Sequence, residues 1–151
     1  MFIQLKLVTP ERTLLDEKAV SVTIPTVEGE VTILPEHVQF TALVAAGIAR
    51  MKRENGQIDE VAVSDGFMHV AKDGVVTVLT DTAERGHELN VTAIEEARER
   101  AKELMKKAAA QDDVAFAAAA AELEREMARL RLARKHQSRQ KPVGSVSEQR
   151  E

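Results

Sequence analysis

The sequence predicts a β+α fold, a β-sandwich followed by two antiparallel helices, and three observations support this fold class. Six of the seven glycines and three of the four prolines lie within residues 1–86, and neither occurs from His87 to Lys141. The first part also contains alternating apolar and polar residues, whereas the second repeats apolar residues at heptad-like spacing. Because glycine and proline permit tight turns but destabilise helices, the chain divides into a β region and an α region.

Period-two alternation in residues 20–24 and 38–44 predicts half-buried strands, the latter directing Val38, Phe40, Ala42 and Val44 inward. Asn55-Gly56 and Asp73-Gly74 each separate two strand-like segments and accept the positive φ angles of a tight hairpin turn. About eight to ten short strands in residues 1–86 leave no room for helical crossovers, so we expect an antiparallel sandwich or flattened barrel.

The residue pattern of the α region predicts a helical hairpin over residues 87–137, followed by a flexible tail over 138–151. Thr92 and Glu95 form a candidate capping box, and Asp112 or Asp113 can cap the second helix. The predicted contact stripes are Ile94, Ala97, Ala101, Leu104 and Ala108, then Phe116, Ala120, Leu123, Met127 and Leu130. Alanine-rich stripes bury little apolar area, so we expect the hairpin to be stable only when it docks on another surface.

Composition excludes several function classes. The chain has no cysteine, which excludes disulfides and thiol catalysis, and no Trp or Tyr for stacking on nucleobases. Its four histidines lack metal-ligand spacing, and no phosphate-binding or nucleophile motif occurs. We therefore expect no catalytic residue, no metal and no nucleic-acid partner. We also expect no signal peptide and no membrane span, so that any membrane association comes through a partner.

Charge is distributed unevenly along the chain. The formal net charge is −4, yet residues 127–151 contain seven basic and two acidic residues. The cluster comprises Arg129, Arg131, Arg134, Lys135, Arg139 and Lys141, with no acidic residue among them. The cluster predicts contact with an acidic partner surface. The competing interpretation is a solvated helix end whose cations complement the helix dipole.

Two segments carry a resemblance to a known family. The segment from Ile24 to Ile48 contains a Gly-Glu-x-x-Ile-x-Pro-x-His pattern, which begins at Gly29 and ends at His37. The later segment ends in Asp-Thr-Ala-x-Arg-Gly at residues 81–86. Together with the helical region, these patterns resemble the epsilon subunit of bacterial F-type ATP synthases over residues 2 to about 136.

The resemblance implies a non-catalytic rotor subunit in the central stalk that couples proton flow to ATP synthesis. It implies a sandwich that binds the gamma subunit and the membrane-embedded ring of c subunits. It also implies a regulatory helical hairpin that inhibits ATP hydrolysis when it extends towards the alpha and beta subunits. The implied location is peripheral, at the cytoplasmic face of the bacterial cell membrane.

The resemblance also assigns contact residues. Glu30 and His37 match positions that face the c ring, although a turn carboxylate and a solvent-facing histidine are the alternative interpretation. Arg129, Arg131, Arg134 and Lys135 correspond to the region that meets the catalytic head.

Some family members bind ATP through a motif at the start of the first helix. Glu84, Leu89 and Arg131 match ATP-contact positions, but Asn90 and Ala93 replace the family's carboxylate and guanidinium. We therefore expect no tight ATP binding and no cofactor.

Two other classes of function compete with the rotor subunit. A stand-alone adaptor could insert its coiled-coil hairpin into another large enzyme, as transcript-cleavage factors do with RNA polymerase. Those factors place the coiled coil first, whereas here it follows the sandwich, although Asp112-Asp113 offers acidic residues at its tip. A small-molecule enzyme would need a catalytic constellation that the sequence lacks. Co-purification with ATP synthase subunits or with RNA polymerase discriminates between the first two classes.

Overall fold

A computed structural model describes residues 1–109 and 112–140. These residues form ten strands, one 3₁₀ turn and two helices, which confirms the predicted sandwich and helical pair. The strands are β1 (Ile3–Val8), β2 (Thr13–Ala19), β3 (Ser21–Thr26), β4 (Gly29–Ile33), β5 (Phe40–Val44), β6 (Gly47–Lys52), β7 (Ile58–Val63), β8 (Gly66–Val70), β9 (Val75–Thr80) and β10 (Ala83–Arg85). The 3₁₀ turn is Gly86–Glu88, and the helices are α1 (Val91–Ala108) and α2 (Asp113–Gln140). The two helices together are called the arm.

The strands form one sheet that folds over on itself around an aliphatic core. Their order is β10-β7-β6-β3-β5-β8-β9-β1-β2, with β4 paired to β3. Every pairing is antiparallel except that of β1 with β9. At the two ends of the sheet, Arg85 donates to the Leu14 carbonyl at 3.3 Å and Arg12 donates to the Ala83 carbonyl at 3.4 Å. Arginine side chains thus link the β2 and β10 edges.

Both predicted hairpin turns are present, with a positive φ angle only at the glycine. Gly56 has φ +83° between β6 and β7, and Gly74 has φ +84° between β8 and β9. The Asn55 side chain accepts a hydrogen bond from the Gln57 amide at 2.9 Å. The predicted strand over residues 38–44 is two residues too long, because β5 begins at Phe40 and Val38 lies outside it, 74% exposed.

The cap of α1 differs from the prediction. Asn90, rather than Thr92, is the N-cap, and its side chain accepts a hydrogen bond from the Ala93 amide at 3.1 Å. At α2, Asp112 accepts from the amides of Val114 and Ala115, which confirms the predicted cap. Helix α2 continues to Gln140, three residues past the predicted end, and residues 141–151 lie outside the described residues.

The predicted contact stripe of α2 does not coincide with the face of the helix that is buried. Among its five members only Leu130 is buried, while Phe116 and Met127 are 38% and 47% exposed. On α1, Ile94 and Ala101 are buried as predicted, but Leu104 is 50% exposed. The buried residues of α2 are Ala119, Glu126, Ala128, Leu130, Leu132 and Ala133. Helix α2 packs against α1 and also against β6, β7 and the 3₁₀ turn, so its buried arc is wider than one heptad stripe.

Candidate functional site

An exposed apolar patch lies on the outer face of the sandwich. Leu43, Phe67 and Leu79 are 49%, 59% and 50% exposed, and strand register places Phe67 opposite both of the others. Val27, 63% exposed, adjoins them through its amide, which donates to the Leu43 carbonyl. These four residues, called the apolar patch, line a groove of about 720 Å³ together with Pro10. An exposed apolar cluster of this kind marks a surface for a protein partner.

The same strands carry polar residues farther along their outer face. Thr41 on β5 and Thr77 on β9 both lie opposite His69 on β8, and the Thr41 hydroxyl lies 2.9 Å from His69 Nδ1. The outer face is therefore divided into an apolar and a polar half. Sequence reasoning missed the apolar half because its members are far apart in the chain and only the register brings them together.

The predicted c-ring residues lie on separate segments. Glu30 on β4 accepts a hydrogen bond from Arg50 on β6 at 2.7 Å, and its side chain is 55% exposed. His37 lies in the connection between β4 and β5, where its Nδ1 is 2.7 Å from the Val38 carbonyl oxygen. Leu34 in the same connection is 55% exposed. This edge therefore presents the exposed carboxylates of Glu30 and Glu36, one imidazole and exposed aliphatic side chains.

Four cations of the basic cluster are paired with glutamates of other elements, although no acidic residue lies within the cluster itself. Arg129 binds Glu84 on β10 at 2.9 Å, and Arg134 binds Glu95 on α1 at 3.2 Å. Lys135 and Arg139 both bind Glu60 on β7, at 2.5 and 3.4 Å. The sequence could not reveal these pairs, because the glutamates are at least 39 residues away in the chain. The predicted contact with an acidic partner surface remains a prediction. Arg131 is exposed and makes no ion pair within the described ranges, whereas Lys141 lies outside them.

Electrostatic pairing also distinguishes Arg129. Burial lowers the pKa of its guanidinium, but bonds to Glu84 and attraction to Glu84 and Glu126 outweigh burial, so the pKa is raised. The second terminal nitrogen of its guanidinium, Nη1, binds Glu126 at 2.7 Å, and the Glu126 side chain is 3% exposed. Arg129 therefore joins a buried carboxylate of α2 to the sandwich.

The residues that precede α1 are bound to the sandwich. Arg12 donates to both carboxylate oxygens of Glu88, at 2.9 and 3.0 Å, and lowers the pKa of that carboxyl. Glu88 also accepts from the Arg85 amide at 2.8 Å. These bonds fix the chain to the sandwich as far as the end of the 3₁₀ turn. Leu89 and Asn90 then connect this fixed part to α1.

The three residues that match ATP-contact positions have different surroundings. The Glu84 carboxylate is occupied by Arg129, and Leu89 packs against Ile94, Leu130 and Ala133. Arg131 is exposed. Across residues 1–109 and 112–140, no group of three or more His, Cys, Asp or Glu side chains could hold a metal ion. No helix in these ranges is long and apolar enough to cross a membrane.

Comparison with known proteins shows the class of protein to which the sandwich belongs. Residues 2–86 match the family described as the β-sandwich domain of the ATP synthase delta/epsilon chain. The fold is similar to a chain of the Euglena gracilis mitochondrial ATP synthase, solved by cryo-EM with OSCP, F1 and the c-ring. That similarity has a TM-score of 0.73 and 28% identity, and covers 87% of this chain and 81% of the other.

Sequence relatives that cover most of the chain identify the family within this class. The ATP synthase epsilon chain of Moorella thermoacetica is 39% identical over 131 residues, which cover 87% of this chain and 96% of the relative. That of Herpetosiphon aurantiacus is 39% identical over 140 residues, covering 93% and 100%. This chain belongs to the ATP synthase epsilon chain family.

Proposed function

We propose that this chain is a non-catalytic rotor subunit in the central stalk of a proton-translocating F-type ATP synthase, where it couples proton flow to ATP synthesis. Membership in the epsilon chain family supports the role, and the apolar patch indicates which surface of the sandwich binds the rest of the stalk. The patch binds the gamma subunit, because a stalk subunit must bury exposed apolar side chains against a permanent partner. The complex lies at the cytoplasmic face of the bacterial membrane, and the chain reaches the membrane only through the complex.

Replacement of Leu43 and Phe67 together by serine should weaken binding to the gamma subunit about 30- to 700-fold, because each side chain loses roughly 1–2 kcal/mol of apolar burial. Both are about half exposed, so the isolated chain should stay folded. Calorimetric titration of purified gamma subunit measures the effect. The matched control replaces Thr41 and His69 by alanine at outward positions of the same two strands. Unchanged affinity in the serine variant, or equal loss in the control, would refute the assignment.

The edge that carries Glu30 and His37 faces the c ring in this proposal. Its exposed Glu30 carboxylate and half-buried His37 imidazole suit the polar loops of a ring subunit, and its exposed aliphatic side chains add apolar contact. Contact at this edge lets the sandwich turn together with the ring.

Replacement of Glu30 and His37 together by alanine should lower proton-driven ATP synthesis in membrane vesicles several-fold while ATP hydrolysis continues. Loss of the exposed Glu30–Arg50 pair is not the cause, since such pairs contribute about 0–1 kcal/mol. Arg50→Ala removes the pair but keeps Glu30, so it should leave coupling intact. Coupling that persists in the double variant would show that both residues are only surface groups.

The arm supplies regulation in this proposal. When it leaves the sandwich, its cations bind an acidic surface of the alpha and beta subunits and inhibit ATP hydrolysis. Support comes from the exposure of Arg131 and from the buried residues of the arm, more than half of which are alanines or glutamate and contribute little apolar burial. Tight ATP binding is not part of the proposal, because Asn90 caps α1 and Ala93 has no cationic side chain.

A further inference from the structure

Glu60 is the point at which two cations of the arm meet the sandwich. Its two carboxylate oxygens accept from Lys135 Nζ at 2.5 Å and Arg139 Nη1 at 3.4 Å. The Glu60 side chain is only 6% exposed, although it lies on the outer side of β7, because α2 covers it. The carboxylate thus depends on the docked arm for its cover and its counter-charges.

Glu84 provides a second attachment on the neighbouring strand β10. It binds Arg129, whose side chain is 24% exposed and also holds Glu126. Arg129 and Lys135 are six residues apart, which corresponds to about 9 Å along a helix. Two attachments at this separation restrain both rotation and sliding of α2 on the sandwich.

Apolar contact between the attachments is limited. Leu132 is buried between the attachments and Ala128 directly before them, whereas the buried Leu130 and Ala133 pack against Ile94 of α1. His136 approaches Gly86 so closely that a Cβ on that glycine would lie 3.1 Å from the His136 Cβ. Apart from the residues that pack on α1, these contacts bury little apolar area, so ion pairs are a large share of what favours the docked arm. Lys135 and Arg139 are 44% and 58% exposed, so water or another acidic surface can replace their partner.

We propose that Glu60 and Glu84 form an electrostatic latch that holds the arm on the sandwich by occupying Lys135, Arg139 and Arg129. The latch itself is a property of the isolated chain. Its regulatory consequence rests on the proposed function: Arg129 and Lys135 cannot bind the sandwich and the catalytic head at once, so docking and inhibition exclude each other. Arg131 stays exposed in the docked state and is the cation available for a first contact with the head.

Energy transfer between two dyes on the isolated full chain tests the latch. The chain has no cysteine, so Glu54→Cys and Gln137→Cys, both exposed, label the sandwich and the arm. Glu60→Gln and Glu84→Gln should each raise the detached-to-docked ratio about three- to fivefold, and together about tenfold or more. Added salt should detach the parent's arm and have little further effect on the double variant. Glu124→Gln is the control, since it removes an exposed carboxylate of α2 that makes no ion pair within the described ranges.

A charge exchange separates direct pairing from a change in folding. Glu60→Lys alone should detach the arm, and adding Lys135→Glu should restore docking. The latch is refuted if the double glutamine variant keeps the parent's energy transfer, or if the control detaches the arm equally. Because no ATPase activity is measured, this outcome is independent of inhibition. An arm that detaches as expected without affecting hydrolysis by the assembled enzyme would instead refute the inhibitory role and leave the latch standing.

Discussion

Replacement of Arg129, Arg131, Arg134 and Lys135 together by alanine should raise ATP hydrolysis by the assembled enzyme almost as much as deletion of residues 89–151. Each exposed charge pair with the catalytic head contributes about 0–1 kcal/mol, so four together contribute about 2–3 kcal/mol. Their loss weakens binding of the arm to the head roughly 30- to 150-fold. The same change frees the arm from the sandwich, but a detached arm without these cations cannot bind the head.

Single substitutions separate the two states of the arm. Arg131→Ala removes a cation that is exposed in the docked state, so it should slightly relieve inhibition without detaching the arm. Arg129→Ala also loosens the latch and leaves the buried Glu126 without its closest cation, which makes the docked state less stable. Hydrolysis is measured at low and high salt, and added salt should relieve inhibition in the parent.

The matched control for the quadruple variant replaces three exposed cations of α1, which are Arg100, Lys106 and Lys107. It removes a similar amount of charge from the arm but leaves the proposed head contact unchanged. Inhibition should therefore persist in the control. If the quadruple variant inhibits as strongly as the parent at low salt, the basic cluster is only a solvated helix end.

Gly66→Ala should cause the largest loss of folding stability, about 3 kcal/mol or more. A Cβ at this position would lie 1.9 Å from the Leu79 carbonyl oxygen and 2.9 Å from the Thr80 Cα. These are backbone atoms of the adjacent strand, so no side-chain rotation can relieve the overlap. The β8–β9 pairing must separate at Gly66, where the register places Thr80 opposite.

Gly56→Ala is the matched comparison, since it adds the same methyl group in a turn. Gly56 has φ +83° and no atom within 4 Å of a built Cβ, so the cost is the left-handed backbone alone, about 1–2 kcal/mol. Denaturant unfolding of the isolated chain measures both free energies of unfolding. Equal losses would show that the sheet adjusts to the methyl group at Gly66 and that close approach does not explain this glycine.

The properties that the sequence determined by itself are local ones. The division into sandwich and helices follows from glycine and proline placement, since these residues act on the backbone at their own positions. The turns at Gly56 and Gly74 follow from the same rule, and the structure confirms them. The pattern from Gly29 to His37, the one at residues 81–86 and the helical region together identified the family, and the comparisons confirm it. The c-ring role of Glu30 and His37 remains a prediction.

Only the tertiary structure decided which distant residues meet. The apolar patch exists because register places Phe67 between Leu43 and Leu79, and alternation within one strand cannot reveal its neighbours. The counter-charges of the basic cluster come from Glu60, Glu84 and Glu95, far away in the chain. The buried face of α2 was mispredicted for the same reason: a heptad stripe assumes one partner, whereas α2 packs on both α1 and the sandwich, and contacts with a second surface leave no periodic mark in the sequence.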